Sequence, residues 1–196
     1  MDIEVIFFPL AKDLLTGKGH GLHQNSLILH YSRDTYMEYL IKKAEGLAKL
    51  KKYDEAFEVL RKAENEGNFM ASYALGTWYL HGTYVKKDYK KAFQYLTKAS
   101  KGEIKEAFFD LAICYEKGTG TEKNPDKAFQ NYLHASKLGD KDALYEIVRC
   151  FYYGIGVEKN KDLATLIYDK VFRLKDRSQL RPNQRAIQTV SSRKTA

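Results

Sequence analysis

The sequence predicts an all-α fold, an α-α superhelix (solenoid) of stacked antiparallel helical hairpins. The first observation is an internal repeat, in which Gly82, Gly118 and Gly154 follow one another at intervals of 36 residues. The second is that small, aromatic and helix-capping residues keep their own columns at this interval. The clearest columns are Ala71, Ala107 and Ala143; Tyr79, Tyr115 and Phe151; Asp88, Asn124 and Asn160; and Ala92, Ala128 and Ala164. Because one hairpin cannot bury its own apolar face, such units are stable only when several of them stack.

Each repeat unit is predicted to form two helices joined by a glycine-rich loop. In the first unit, Ala71 and Leu75 are four residues apart and share one face of the first helix. Gly82 ends that helix, because glycine readily adopts the left-handed conformation that a helix end often needs. Asp88 begins the second helix, since its carboxylate can accept hydrogen bonds from the unpaired amides of the first turn. Ala92 starts a narrow apolar seam that lets the paired helices approach closely.

Four segments are predicted along the chain. Residues 67–173 hold three full repeats, and residues 35–66 hold a further helical hairpin without the glycine-rich loop. Residues 1–34 are expected to cap the array, because the terminal units of a solenoid need atypical covering elements. A partner-binding insert is the alternative for this segment. Residues 174–196 form a basic carboxy-terminal tail.

Two positions depart from the repeat. Tyr84 occupies the column that holds glycine in the other two loops, so the first loop is expected to follow a different path. Val148 occupies the column of Gly76 and Ala112. A larger side chain at this point predicts that the last hairpin packs less closely than the other two.

The net charge of +8 is concentrated at the carboxy-terminal end. Residues 173–196 contain seven basic residues and one acidic residue, a net charge of +6, which leaves +2 for the rest of the chain. The main body therefore differs from a uniformly cationic nucleic-acid-binding surface. No apolar run approaches the ~18 residues of a membrane helix, and Asp2 and Glu4 stand where a signal peptide carries basic residues. A cytoplasmic protein with no membrane partner is predicted.

The remaining chemical motifs favour structural roles. The loop in YEKGTGTEKNPDKAF, Tyr115–Phe129, follows a helix and lacks the Lys-Ser/Thr end of a phosphate-binding loop. Cys114 and Cys150 share one column, which places them too far apart for a disulfide if stacked helices lie ~8–10 Å apart. His20 and His23 have no third ligand at zinc spacing. The sequence therefore predicts no catalytic residue, no metal site and no cofactor.

The pattern A-x-x-x-L-G/A-x-x-Y-x-x-G-x-G, followed by N-x-D-K-A-F and A-S-K-x-G, resembles the Sel-one-like repeat, a relative of the tetratricopeptide repeat. The residues that carry the resemblance are Ala107, Leu111, Ala112, Tyr115, Gly118, Gly120, Asp126, Lys127, Ala128 and Ala135. The segment Ala44–Ala63 is similar to a plain tetratricopeptide repeat. The resemblance implies an α-solenoid that binds other proteins as an adaptor or scaffold, usually without catalysis. Some members neutralise a toxin or assist a secreted effector.

A partner-binding surface is predicted on the first helix of each repeat. The tetratricopeptide geometry implied by the resemblance places these helices on the concave side of the array. Two columns there point away from the predicted seam. They contain Tyr73, Phe109 and Tyr145, and Thr77, Ile113 and Arg149, with Tyr152 nearby. Aromatic residues and arginine are concentrated at protein interfaces, although a column of large aromatics can equally pack between repeats.

The predicted function is therefore a non-catalytic protein–protein interaction module that binds a protein or peptide in its concave groove. An immunity or accessory role toward a toxin or secreted effector is a specific version of this prediction. The alternative is a nucleic-acid-associated accessory protein that uses the basic tail. That tail has no aromatic residue after Phe172 on which a base could stack. Neither function requires a small-molecule cofactor.

Overall fold

The structure, a computed structural model, describes residues 24–172, with side chains described for residues 33–171. Within this range it contains eight α-helices and no strand. The helices are α1 (Gln24–Lys49), α2 (Tyr53–Asn65), α3 (Phe69–His81), α4 (Tyr89–Ser100), α5 (Lys105–Lys117), α6 (Pro125–Lys137), α7 (Lys141–Tyr153) and α8 (Lys161–Phe172). None of these helices is both long and apolar enough to cross a membrane.

The first compact unit ends at Asn68, and its described part consists of α1 and α2. These two helices pack against each other as a hairpin. Helix α1 buries Leu40 and Ala44, and α2 buries Ala56 and Leu60. The spacing of four residues within each pair places both side chains on one face of their helix. The hairpin therefore has its own small apolar core.

Helix α1 begins at Gln24, eleven residues before the hairpin that the sequence predicts to start at residue 35. No glycine or proline lies between Gln24 and Glu45, so no residue interrupts the helix in this stretch. Residues 24–34 of the predicted capping segment 1–34 are consequently helical. The rest of that segment, residues 1–23, lies outside the described residues. The predicted basic tail, residues 174–196, lies outside them as well.

The second compact unit begins at Phe69 and contains three consecutive hairpins, α3–α4, α5–α6 and α7–α8. Each hairpin packs on the next, through contacts of α4 with α5 and of α6 with α7. Alanines of the repeat columns are fully buried in both helices of every hairpin. They are Ala71, Ala92, Ala107, Ala128, Ala143 and Ala164. Their small side chains let neighbouring helix axes approach closely. The all-α solenoid predicted from the sequence is therefore confirmed.

The helix ends in this unit are formed by the residues that the sequence predicts. The side-chain oxygens of Asp88, Asn124 and Asn160 each accept a hydrogen bond from the backbone amide three residues later, at 3.0, 2.9 and 2.9 Å. These bonds satisfy donors that have no partner inside the helix. Gly118 and Gly154 end α5 and α7 in the left-handed conformation, with φ of 72° and 76°. The repeated capping columns thus mark true helix boundaries.

The first loop takes the different path that Tyr84 predicts. Gly120 and Gly156, in the equivalent positions of the other two loops, have positive φ angles of 74° and 63°. Among the non-glycine residues of the described range, only Lys51 and Glu103 have a positive φ. Tyr84 therefore does not share the backbone conformation of the two glycines. Its half-exposed ring instead meets the indole of Trp78 edge-on, with 5.9 Å between ring centroids.

The prediction for Val148 agrees with the packing of the last hairpin. Val148 is fully buried against Ala164 and Tyr168 of α8. In the first hairpin, the equivalent Gly76 lets Leu96 come within 3.1 Å of the point where a β-carbon would stand. In the last hairpin the side chain of Val148 fills the equivalent space, so no side chain of α8 can approach α7 as closely as Leu96 approaches Gly76. Helices α7 and α8 accordingly pack less extensively than α3 and α4.

Candidate partner-binding face

The candidate site is the outward side of α3, α5 and α7, referred to below as the first-helix face. Its residues are Tyr73 and Thr77 of α3; Lys105, Glu106, Phe109, Asp110, Ile113, Glu116 and Lys117 of α5; and Lys141, Asp142, Tyr145, Glu146, Arg149 and Tyr152 of α7. The opposite side of each helix is buried, as Ala107 and Leu111 illustrate in α5. All seven residues predicted to bind a partner are partly buried, and none is fully buried or fully exposed.

The aromatic column Tyr73, Phe109 and Tyr145 is anchored by contacts within the second unit. Phe109 packs edge-on against Tyr132 of α6, with ring centroids 5.6 Å apart. The ring of Tyr145 lies 6.5 Å from that of Tyr168 in α8. Tyr73 packs against the apolar clusters around Leu111 and Ala107. Each ring is therefore held on one side by packing while part of its surface stays accessible.

The hydroxyl group of Tyr73 forms a hydrogen bond with the carboxylate of Asp110 in the next repeat. Burial raises the pKa of Asp110, the Tyr73 hydroxyl and the charge of His81 lower it, and the carboxylates of Glu106 and Asp140 raise it again. The net effect is a raised pKa for Asp110. Burial, followed by the charge of Asp110, raises the pKa of Tyr73 as well. The hydrogen bond between Tyr73 and Asp110 therefore links α3 to α5. Burial at this point makes the charged form of the Asp110 carboxylate less stable.

Arg149 lies at the centre of an ion cluster that the sequence comparison does not identify. Its Nη2 is 2.6 Å from Oε2 of Glu116 in α5, and its Nε is 2.5 Å from Oε2 of Glu146 one turn away in α7. The hydroxyl of Tyr132 donates a third hydrogen bond to the same oxygen of Glu116, at 3.0 Å. The side chains of Arg149, Glu116 and Glu146 retain only 17, 24 and 16% of their surface. These contacts join helices of two consecutive repeats.

The charge of Arg149 is stabilised by its partners. Burial alone would lower its pKa, but the hydrogen bonds and charges of Glu116 and Glu146 outweigh burial and raise it. One sequence signal could have identified the cluster. Arg149 stands in a column otherwise occupied by Thr77 and Ile113, so a charge replaces a small or apolar side chain there. A partly buried charge in such a column needs an opposite charge nearby.

The other predicted residues make local contacts. Thr77 donates its hydroxyl proton to the Ala74 carbonyl of its own helix, at 2.8 Å. Ile113 packs against the apolar core formed by α5, α6 and α7. The ring of Tyr152 lies edge-on to Tyr153, and the ammonium group of Lys161 lies 5.2 Å from its centroid. The structure thus places all seven predicted residues on three helices of one unit.

Cys114 and Cys150 are free, buried thiols. Burial raises the pKa of Cys114 to about 11 and that of Cys150 to about 12. Both thiols are protonated at neutral pH, and a thiol reacts as a nucleophile only in its thiolate form. The described part of the chain has no group of three or more His, Cys, Asp or Glu side chains that could hold a metal ion. His20 and His23 lie outside that part.

The repeat assignment is decided by comparison with known families. A family model described as Sel1 repeat matches residues 70–103, 106–140 and 142–170. The chain belongs to the Sel1 repeat family. The resemblance found in the sequence is thereby confirmed. Sel1 repeat proteins generally mediate protein–protein interactions, and the family is typically a non-catalytic scaffold. No curated protein sequence matches the chain significantly.

Solved structures with Sel1-type repeats are similar to this Sel1 repeat protein. A Sel1 repeat protein from Oxalobacter formigenes is 30% identical with a TM-score of 0.62, over 68% of this chain and 55% of that one. The protective antigen c5321 of uropathogenic Escherichia coli, which displays an SLR fold, is 20% identical with a TM-score of 0.49, over 97 and 49% of the two chains. Helicobacter pylori cysteine rich protein B is 27% identical with a TM-score of 0.46, over 64 and 97%. The chain spans about half the length of the first two.

Proposed function

We propose that this Sel1 repeat protein is a non-catalytic interaction module that holds a protein or peptide partner on its first-helix face. The observation that carries the proposal is the aromatic column of Tyr73, Phe109 and Tyr145. The three rings occupy equivalent positions in successive repeats, and each is packed on one side and accessible on the other. Thr77, Ile113, Arg149 and Tyr152 extend the same face.

The physical basis of the proposal is pre-organisation. An aromatic side chain offers a large contact area, and a ring that is already packed loses little conformational entropy when a partner covers it. The contacts of Phe109 with Tyr132 and of Tyr145 with Tyr168 fix these rings before binding. A partner that spans several repeats would therefore meet a row of rigid anchors. Such anchors usually carry most of the binding free energy of an interface.

The proposal is tested on the partner itself. The full chain is used to capture proteins from its native cell, and a captured protein is then purified for titration calorimetry. We expect Phe109→Ala and Tyr145→Ala each to weaken its binding roughly tenfold, with helicity retained in circular dichroism. The matched control is Tyr89→Ala, which removes an exposed tyrosine at the start of α4. Equal losses in the control, or none in the two first-helix variants, would refute the proposal.

Two finer proposals concern the partner and its location. The partner would be a toxin or a secreted effector, with this chain as its cytoplasmic immunity or accessory protein. Co-purification with the product of a neighbouring open reading frame, and neutralisation of that product's toxicity, would support this version. A neighbouring product that neither binds nor is neutralised would count against it.

The alternative function is nucleic-acid contact through the basic tail. It rests on the net charge of +6 in residues 173–196. Deletion of Arg177–Ala196 separates the two functions. Loss of binding to a labelled oligonucleotide, with binding of the protein partner retained, would establish contact through the tail as an additional activity.

A further inference from the structure

The described array ends at α8, and the side of α8 that carries Val171 has no further hairpin of the described chain packed on it. In the two preceding hairpins, the first helix of the next hairpin covers the equivalent side. Ala99 shares an apolar cluster with Ala107, and Ala135 shares one with Ala143. Both Ala99 and Ala135 are fully buried, whereas Val171, in the same column, is 49% exposed. An apolar residue of the repeat seam is therefore left open to solvent at α8.

The sequence pattern of a first helix recurs after α8, in residues 183–190, which lie outside the described residues. The segment that starts at Asp140 reads DKDALYEI, and the segment that starts at Asn183 reads NQRAIQTV. Each begins with a capping residue, has alanine three residues later and has an aliphatic residue seven residues later. Asp140 caps α7 by accepting a hydrogen bond from the amide of Ala143, at 2.9 Å. Asparagine is as effective as aspartate at this position of a helix.

The recurrence is shifted in register by a longer connection. Ala186 follows Ala143 by 43 residues rather than 36, so comparison at the repeat interval does not find it. Residues 173–182 separate α8 from Asn183, whereas only residues 101–104 and 138–140 connect the earlier hairpins. The entropy lost on closing a loop grows only with the logarithm of its length. A segment tethered this closely has an effective concentration in the millimolar range, which favours it over a second copy of the chain.

A further difference in α8 fits a short covering helix. In the earlier hairpins, a phenylalanine of the second helix meets an aromatic ring near the end of the next first helix. The pairs are Phe93 with Tyr115 and Phe129 with Phe151, with ring centroids 5.3 and 5.4 Å apart. Helix α8 has Thr165 in the phenylalanine column, and the position equivalent to the second ring is Lys194. Both partners of the aromatic contact are thus replaced together, as expected if the covering helix ends before that point.

These observations identify an occupant for the open side of α8. We propose that residues 183–190 form a short helix that packs on α8 as a first helix packs on the preceding hairpin. In the register of the earlier hairpins, Ala186 lies against Val171 and Val190 lies beside Tyr168. Asn183 caps the helix. The terminal unit of the array is thereby covered by an atypical element of the same chain. This inference goes beyond the proposed function and does not depend on it.

A pair of engineered cysteines in the full chain tests the register. We expect Val171→Cys combined with Ala186→Cys to form an intrachain disulfide under mild oxidation, because a disulfide needs α-carbons within about 7 Å. The matched control combines Val171→Cys with Gln188→Cys, which has nearly the same tether but falls on the opposite face of a helix. It should form its disulfide at least about tenfold more slowly. Equal rates in the two pairs, or a disulfide that joins two chains, would overturn the proposal.

Thermal unfolding tests the contact without a crosslink. We expect Val190→Asp to lower the melting temperature of the full chain by about 4 °C or more, because it places a charge in an apolar contact. Thr189→Asp adds the same charge one residue away, on the other face of the helix, and should shift the melting temperature by less than about 1 °C. An unchanged melting temperature in Val190→Asp, or equal losses in the two variants, would contradict docking on α8.

The third measurement separates the proposed segment from a second copy of the chain. Val171→Asp should lower the melting temperature as Val190→Asp does, and the two losses should not add, because both remove one contact. Leu166→Asp is the control, since Leu166 shares a column with the exposed Gln94 and Gln130. It should have little effect. In sedimentation velocity, Val171→Asp should have the mass of the natural chain. A dimer that Val171→Asp dissociates would show that another copy covers α8, and the inference would fail. If Val171→Asp does not fold, the cysteine pairs and Val190→Asp still decide the question.

Discussion

The backbone carbonyl of Tyr89 lies so close to Gly120 that a β-carbon on residue 120 would overlap it. Tyr89 is the first residue of α4, and Gly120 lies in the loop between α5 and α6. This contact therefore joins the α3–α4 hairpin to the α5–α6 hairpin. Gly156 has the same relationship to the carbonyl of Pro125, the first residue of α6. The second and third glycine loops thus dock on the preceding hairpin.

Gly120→Ala should lower the free energy of unfolding by about 3 kcal/mol or more. Its positive φ of 74° costs roughly 1 kcal/mol for alanine, and the clash with the Tyr89 carbonyl forces the hairpins apart. Gly139→Ala is the matched control, because Gly139 has a φ of 87° but no atom within 4 Å of its β-carbon position. It should cost only about 1 kcal/mol. Urea unfolding curves measure both values, and equal losses would exclude a docking role.

The sequence predicts the features that repeat and misses the contacts that do not. Capping by Asn124 and loop closure by Gly118 and Gly120 recur at a fixed interval, so comparison of the chain with itself identifies them. Recurrence also predicts the fold class. Alanines are buried at the same positions of every hairpin, so the hairpins pack on one another in the same way. Helix α1 has no second copy, and its start at Gln24 could not be located by this comparison.

The ion cluster illustrates the limit of column comparison. Glu116 and Arg149 are 33 residues apart, a separation that matches no column of the 36-residue repeat. Their contact depends on the rotation of α7 about its axis relative to α5. That rotation is determined jointly by all the side chains that pack between the two repeats. The sequence correctly places Arg149 on the outward side of α7. It contains no periodic signal for Glu116 as its partner.

Tyr132→Phe should lower the free energy of unfolding by about 1–2 kcal/mol. The Tyr132 side chain is buried and its hydroxyl donates to a partly buried carboxylate, so its loss removes a bond to a charged group. Tyr153→Phe is the control, because Tyr153 remains 50% exposed, and it should change stability by less than about 0.5 kcal/mol. Combining Tyr132→Phe with Glu116→Gln should give less than the sum of the two losses. Strict additivity in chemical denaturation would show that the hydrogen bond does not contribute.

Asp110→Asn should stabilise the chain at neutral pH but not at acidic pH. The pKa of Asp110 is raised in the folded state, chiefly by burial, so the folded state binds this proton more tightly than the unfolded state. The contribution of Asp110 to stability therefore falls as the pH rises through the raised pKa. Asparagine keeps a hydrogen-bond acceptor for Tyr73 and carries no charge. The gain of the variant over the natural chain should grow across this window in denaturation at several pH values.

Two further substitutions check that burial and the Tyr73 bond set this behaviour. Tyr73→Phe removes the hydrogen bond that lowers the pKa of Asp110, so the titration of this carboxylate should move to higher pH in NMR. Glu122→Gln, at an exposed loop position, should not alter the pH dependence of stability. A constant difference between Asp110→Asn and the natural chain at all pH values would contradict the raised pKa.

Cys114 and Cys150 should resist thiol reagents as long as the array is folded. Burial raises their pKa values to about 11 and about 12, so the reactive thiolate is scarce at pH 8 and the reagent has no access to it. Reaction then requires opening of the hairpins around α5 and α7. We expect an aromatic disulfide reagent to label both residues at least about a hundredfold more slowly than in denaturant. Lys101→Cys, at an exposed position after α4, provides the reference and should react at once in the folded chain. Rapid labelling of the two natural cysteines without denaturant would show that the repeats open far more readily than their packing implies.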